Sequence, residues 1–106
     1  MPQIKLNIAQ TDEITSEAAI RNHSVIIDRP EAKGGTDKGP MGGELLLAGL
    51  GGCFMSNLLA AIGAREVEAN NIQIEVEGTL EEAPPRFSAV SMIVTGEYTD
   101  IDEIKR

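Results

Sequence analysis

The alternation of apolar and polar positions divides this chain into short amphipathic strands on either side of one long apolar segment. In residues 3–9, Ile4, Leu6 and Ile8 alternate with Lys5 and Asn7, which predicts a half-buried strand. Residues 14–20 predict a weaker strand and residues 23–27 a stronger one, closed by Asp28, Arg29 and Pro30. Residues 29–43 hold two prolines and five glycines and read as a flexible, charged loop with no regular element. A helix is expected from near Met41, just after Pro40, to about Val67, with Asn70 and Asn71 marking its exit. Residues 72–77 alternate again, residues 82–85 make a turn, and residues 87–98 supply a longer strand.

The central segment decides the fold class. Residues 45–62 read LLLAGLGGCFMSNLLAAI, close to the lower limit of a membrane span, roughly 18–20 residues. Gly49, Gly51, Gly52, Ser56 and Asn57 interrupt it, however, and its flanks read as soluble domain. No membrane is expected; the segment reads as a central helix buried by a sheet or by a partner chain. The element order then predicts an α+β fold, an antiparallel sheet wrapped around one hydrophobic helix, as a single domain over residues 1–106. Five short strands cannot cover a helix that is apolar on nearly every face, so a homodimer sharing its core is expected. Near the end, Asp100 stands three positions before Glu103, the spacing of a capping box. It announces a helix that has only about two turns, which is marginal by itself. The chain is therefore expected to be truncated at its C-terminus.

Charge and composition remove several function classes. Nine basic against 17 acidic side chains leave a net charge of -8, the wrong sign for a nucleic-acid partner. One cysteine excludes an internal disulfide framework, and His23, the single histidine, leaves no zinc spacing, so neither metal nor cofactor is expected. The N-terminus has no signal-peptide apolar region, and a cytoplasmic location is expected.

Candidate chemistry centres on Cys53. A thiol in an apolar run is usually packing, but here a loop dense in glycine and charge feeds the helix that carries it. Phosphate-loop readings fail: residues 34–39 (GGTDKG) lack a closing Gly-Lys-Ser/Thr, and Gly49 and Gly51 are followed by Phe54 where a dinucleotide fingerprint needs glycine. His23 is available as a base but lies on a strand without an acidic orienter, and reads more simply as a surface residue. A permanent positive charge also activates a thiol by favouring the thiolate. Arg21 and Arg29 are the candidates, because Arg65 lies about 18 Å further along the same helix. Glu44 precedes Cys53 by nine residues, which turns the two side chains to opposite sides of a helix. It reads equally well as a carboxylate favoured by the helix N-terminus or as one that orients an arginine from the preceding loop.

Residues 28–40 (DRPEAKGGTDKGP) followed by residues 44–53 (ELLLAGLGGC) resemble the signature of the OsmC/Ohr family, and residues 76–78 (VEG) and 83–87 (APPRF) extend the similarity. The resemblance implies two chains intertwined around paired central helices, with active sites at the dimer interface. It implies a thiol peroxidase for organic hydroperoxides in which Cys53 attacks the O–O bond and becomes a sulfenic acid. Arg21, or Arg29 in its place, would take the role of the activating arginine, and Glu44 that of the glutamate that holds it. The nine-residue spacing resembles the general OsmC-like branch; in the hydroperoxide-reductase branch it is ten, where this chain has Gly43. The family's resolving cysteine has no counterpart here, so an external thiol reductant is implied. Two other readings stand beside this one: a non-catalytic dimeric protein binding a hydrophobic small molecule, and a redox sensor modified at Cys53.

Overall fold

The computed structural model describes residues 2–82 and 85–98, which fall into two compact units, Met1–Leu45 and Leu46–Arg106. The predicted capping box at Asp100 and Glu103 lies outside the described residues, as does part of the turn at 82–85.

The first unit is a three-stranded antiparallel sheet in the order β1-β2-β3, formed by β1 (Asn7–Gln10), β2 (Ser16–Ile20) and β3 (His23–Ile27). The register runs from Asn7 opposite Ala19 to Gln10 opposite Ser16, and from Ser16 opposite Ile27 to Ile20 opposite His23. Strand β1 starts four residues later than the alternation predicts, and Ile4 is 92% exposed. Its neighbour limits it: β2 ends at Ile20, one position past the partner of Asn7, so residues 3–5 have no strand edge to pair with. Arg21 forms the β2–β3 turn with φ 53, a conformation that costs an ordinary side chain about 1–2 kcal/mol. Ala18 is the buried apolar side chain of this sheet. The other two buried residues, Thr15 and Asp28, are polar.

The segment after β3 corrects the expectation of a flexible loop. Residues Glu31–Lys33 form a 3-10 turn that ends in Gly34 at φ 90, and the loop closes around the Asp28 carboxylate. Asp28 Oδ1 accepts the N–H of Arg29 at 2.7 Å; Oδ2 accepts the N–H of Thr36 at 3.2 Å, its hydroxyl at 2.8 Å and the N–H of Lys38 at 3.1 Å. The Asp28 N–H donates to the Pro40 carbonyl at 3.0 Å, and the Asp37 N–H to the Arg29 carbonyl at 3.0 Å. A Cβ on Gly35 would stand 1.9 Å from the Arg29 carbonyl oxygen, and one on Gly39 would stand 2.1 Å from that of Ile26. The glycines serve close approach here, and the loop is folded.

Helix α1 (Gly42–Arg65) begins where the sequence places it, immediately after Pro40 and Met41. The Leu45 N–H donates to the Met41 carbonyl at 3.1 Å, opening the helical ladder. Its exit differs from expectation. Glu66 takes φ 54, its N–H donates to Gly63 O at 3.2 Å, and the Val67 N–H donates to Ile62 O at 3.2 Å. This is a Schellman ending with a glutamate in the left-handed position that glycine usually occupies. Asn70 and Asn71 lie instead inside β4, at a register shift where Asn71 takes φ 54. Asparagine tolerates the left-handed region, which suits a bulge as well as a helix end.

The second unit adds one long hairpin, β4 (Ala69–Glu82) with β5 (Pro85–Tyr98). The five predicted strands thus form two sheets, not one. On β4, Ile72, Ile74, Val76 and Gly78 are half-buried and alternate with exposed Gln73, Glu75 and Glu77. A Cβ on Gly51 would lie 2.7 Å from Val76 Cγ2, and one on Gly78 would meet Leu47 Cδ2 at 3.0 Å. Small residues therefore let helix and hairpin approach. Gly51 is the buried residue of α1; Leu46, Leu50, Phe54 and Leu59 are 43–56% exposed.

Candidate functional site

Cys53 is a free, exposed thiol near the middle of α1, directly after the Gly51–Gly52 pair. Two apolar hollows lie beside that stretch. One, of about 300 Å³, is lined by Ala48, Gly51, Gly52, Met55, Ile74 and Val76. The other, of about 180 Å³, is lined by Phe54, Leu58, Ile62, Ile72, Val94, Thr95 and Gly96. Gly51 is closed over by Val76, whereas Gly52, next to the thiol, faces open space. Cys53 lines neither hollow; the arrangement offers a nucleophile open to a reagent and, on other faces of the same helix, apolar recesses.

The residues expected to assist it are distributed as follows. Glu44 stands at the third helical position, and its Oε1 accepts the Met41 N–H at 2.8 Å. That is half of a capping box, favoured further by the helix dipole, so the local structural role of Glu44 is explained. Its second oxygen has no hydrogen-bond partner among the described residues and remains available to a cation. Arg21 lies exposed in the β2–β3 turn. Arg29 lies exposed at the start of the loop, fixed there by the bond from its N–H to Asp28. Arg21, Arg29 and Glu44 belong to the first unit, Cys53 to the second. His23 is the exposed first residue of β3. Among the described residues no group of three or more His, Cys, Asp and Glu side chains is arranged to hold a metal ion.

Sequence reasoning missed the two aspartates that build the first unit. Burial pushes the Asp28 carboxyl up, but the N–H groups of Arg29 and Lys38 and the hydroxyl and N–H of Thr36 outweigh it and hold the pKa below the ordinary value. Asp12 organises the turn between β1 and β2: its Oδ1 accepts the N–H groups of Ile14 and Thr15, both at 2.9 Å. Its Oδ2 pairs with Lys38 Nζ at 3.2 Å, tying this turn to the loop. The Ile14 N–H, with help from Thr15 and Lys38, lowers the Asp12 pKa to about 2. The available signal was the company Asp28 keeps, with Gly35 and Gly39 spaced to let backbone fold over it.

This is an α+β domain of short antiparallel sheets and one long apolar helix that presents a single exposed thiol. The chain belongs to the OsmC-like protein family, whose family model matches residues 35–106. Solved structures extend the likeness to almost the whole chain. A Psychrobacter arcticus 273-4 protein named for osmotic stress induction and detoxification response matches with a TM-score of 0.83 at 18% identity, over 99% of this chain and 79% of that one. An OsmC-like protein from Mycoplasma pneumoniae matches with a TM-score of 0.82 at 17% identity, over 98% and 76%. At these identities the structures show the fold. No curated protein matches the chain.

Proposed function

We propose that this protein is a cytoplasmic, homodimeric thiol peroxidase that reduces organic hydroperoxides through Cys53. The observation that carries the reading is the exposed thiol near the middle of the long helix of an OsmC-like fold. The Cys53 thiolate attacks the terminal peroxide oxygen, the O–O bond breaks, and the alkoxide leaves as alcohol after taking a proton. Cys53 is left as a sulfenic acid. The sequence holds no second cysteine, so a small external thiol condenses with the sulfenic acid and expels water. A second equivalent of that thiol then releases Cys53 and leaves as a disulfide. Arg21 is the proposed activating cation, with Arg29 as its substitute, and Glu44 holds it through the carboxylate oxygen not used by Met41.

The dimer is supported by exposed apolar side chains. Leu46, Leu50 and Phe54, which follow one another at four-residue spacing along α1, are 43–56% exposed, a row of apolar side chains that a second copy would bury. By length and composition α1 is also apolar enough to cross a membrane, but family membership favours a second copy as its cover.

The test is intact mass of the reduced protein after one equivalent of cumene hydroperoxide, with hydrogen peroxide and Cys53→Ser alongside. Addition of one oxygen at Cys53, faster with the organic peroxide, is expected. Modification no faster than that of a free thiol overturns the peroxidase reading. Alkylation by iodoacetamide should also slow in Arg21→Ala; an unchanged rate there with a slowed Arg29→Ala moves the activating role to Arg29. The apolar hollow lined by Phe54, Leu58, Ile62, Ile72, Val94, Thr95 and Gly96 supports a second reading, a dimeric protein that binds a hydrophobic small molecule, with Cys53 inert or a redox-sensing thiol outside that hollow.

A further inference from the structure

We propose that the cavity between the β1–β2 turn and the loop after β3 is a binding site for a compact oxyanion, a carboxylate or phosphate group, held by Arg29 and Lys33. The cavity measures about 280 Å³ and is lined by Glu13, Ile14, Arg29, Lys33, Gly34 and Gly35. Its two walls are rigid for a reason already given: Asp12 organises one turn, Asp28 organises the other, and Lys38 bridges them. Those aspartates are spent on backbone N–H groups and on Lys38. The Arg29 guanidinium and the Lys33 ammonium are left with no hydrogen-bond or ion-pair partner among the described residues. Two unpaired cations on one cavity are notable in a chain with 17 acidic and nine basic side chains.

The site must work through side chains. The Gly34 N–H donates to Glu31 O at 3.1 Å and the Gly35 N–H to Pro30 O at 3.1 Å, so these backbone donors are not free to cradle an anion. The Arg29 fork offers two parallel donors to a carboxylate or phosphate, and Lys33 adds a point charge. Glu13, the one carboxylate on the wall, leaves a net single positive charge, which suits a monoanion. Gly34 has nothing within 4 Å of its absent Cβ, which keeps that wall open to solvent and to a ligand. The inference does not depend on the chemistry of Cys53.

The test is an amide chemical-shift titration at pH 7 and constant ionic strength with acetate, with inorganic phosphate, and with acetamide as the neutral control. Saturable shifts confined to residues 13–14 and 29–35 are expected with an anion and not with acetamide. Arg29→Gln and Lys33→Gln should each weaken binding about tenfold, the value of one charge-assisted hydrogen bond. Both side chains lack partners, so neither variant endangers the fold. Glu13→Gln should tighten binding, because it removes a like charge. Tighter phosphate than acetate assigns a phosphate ester as ligand, and the reverse order a carboxylic acid. Shifts that do not saturate, that survive in the Arg29→Gln/Lys33→Gln double variant, or that ignore Glu13→Gln overturn the site.

Discussion

The two units of this chain solve the problem of a small core in different ways. The first has one buried apolar residue, Ala18, and is held by carboxylates that each collect several hydrogen bonds from nearby backbone. The second has side-chain hydrogen bonds from Asn71 to Glu97 and from Ser88 to the Thr79 carbonyl along its hairpin, and carries a helix and hairpin with apolar side chains that lie open, including Leu59 at 51% and Ile93 at 60% exposed. A hydrogen-bonded loop is satisfied within its own unit. An apolar helix is satisfied only by more apolar surface, wherever that comes from. Local completeness therefore belongs to the half whose carboxylates gather its own backbone.

Glycine substitutions test this contrast most severely. Gly35→Ala drives a methyl into the Arg29 carbonyl, which is fixed by the loop, and is expected to cost about 4 kcal/mol or more or to prevent folding. A melting temperature within a few degrees of wild type would show that the loop gives way. Leu50→Glu, on the open face of α1, should convert the proposed dimer to monomer in sedimentation and remove any rise of melting temperature with concentration; a wild type that already sediments as monomer breaks the dimer proposal. Gly51→Ala meets the Val76 methyl, a side chain that can shift, and should cost about 1–3 kcal/mol, less than the same change at Gly35.

Acid should separate the units. Both Asp12 and Asp28 have folded pKa values below the ordinary carboxylate value, Asp12 at about 2. A lowered folded pKa contributes stability that is present above the unfolded value, about 3.9, and is lost as pH falls through the folded one. Amide signals of residues 11–15 and 28–40 are therefore expected to lose protection between about pH 4 and pH 2 before those of α1, and Asp12→Asn should weaken that dependence. The smallest effect is a gain: Glu66→Gly relieves the left-handed residue at the end of α1 and should add about 1 kcal/mol, read by thermal unfolding.

The long helix, the hairpins and the family were legible because apolar periodicity and the 28–53 segment are local patterns in sequence. Strand β1 was read too long because alternation at Ile4 and Leu6 reports amphipathicity but not the length of the partner strand. Asn70 and Asn71 misled because a left-handed residue ends helices and makes bulges alike, while the actual helix end used Glu66, which carries no such signal. The loop was misread because glycine permits both mobility and close approach. Only the position of Asp28 beneath Thr36 and Lys38 decides between them. The places of Cys53 and Glu44 on the helix were legible in the sequence, whereas the meeting of Arg29 and Lys33 at a cavity needed the folded loop.

The Asp28 loop also has a consequence in time. Apart from the Lys38–Asp12 pair, its bonds span at most 12 residues, and the β2–β3 hairpin beside it is as local. Contacts of such short range close early and at small entropic cost. A chain emerging from the ribosome can therefore complete this network while the apolar helix is still being made. The sticky half of the molecule is synthesised second, when the first can already be folded.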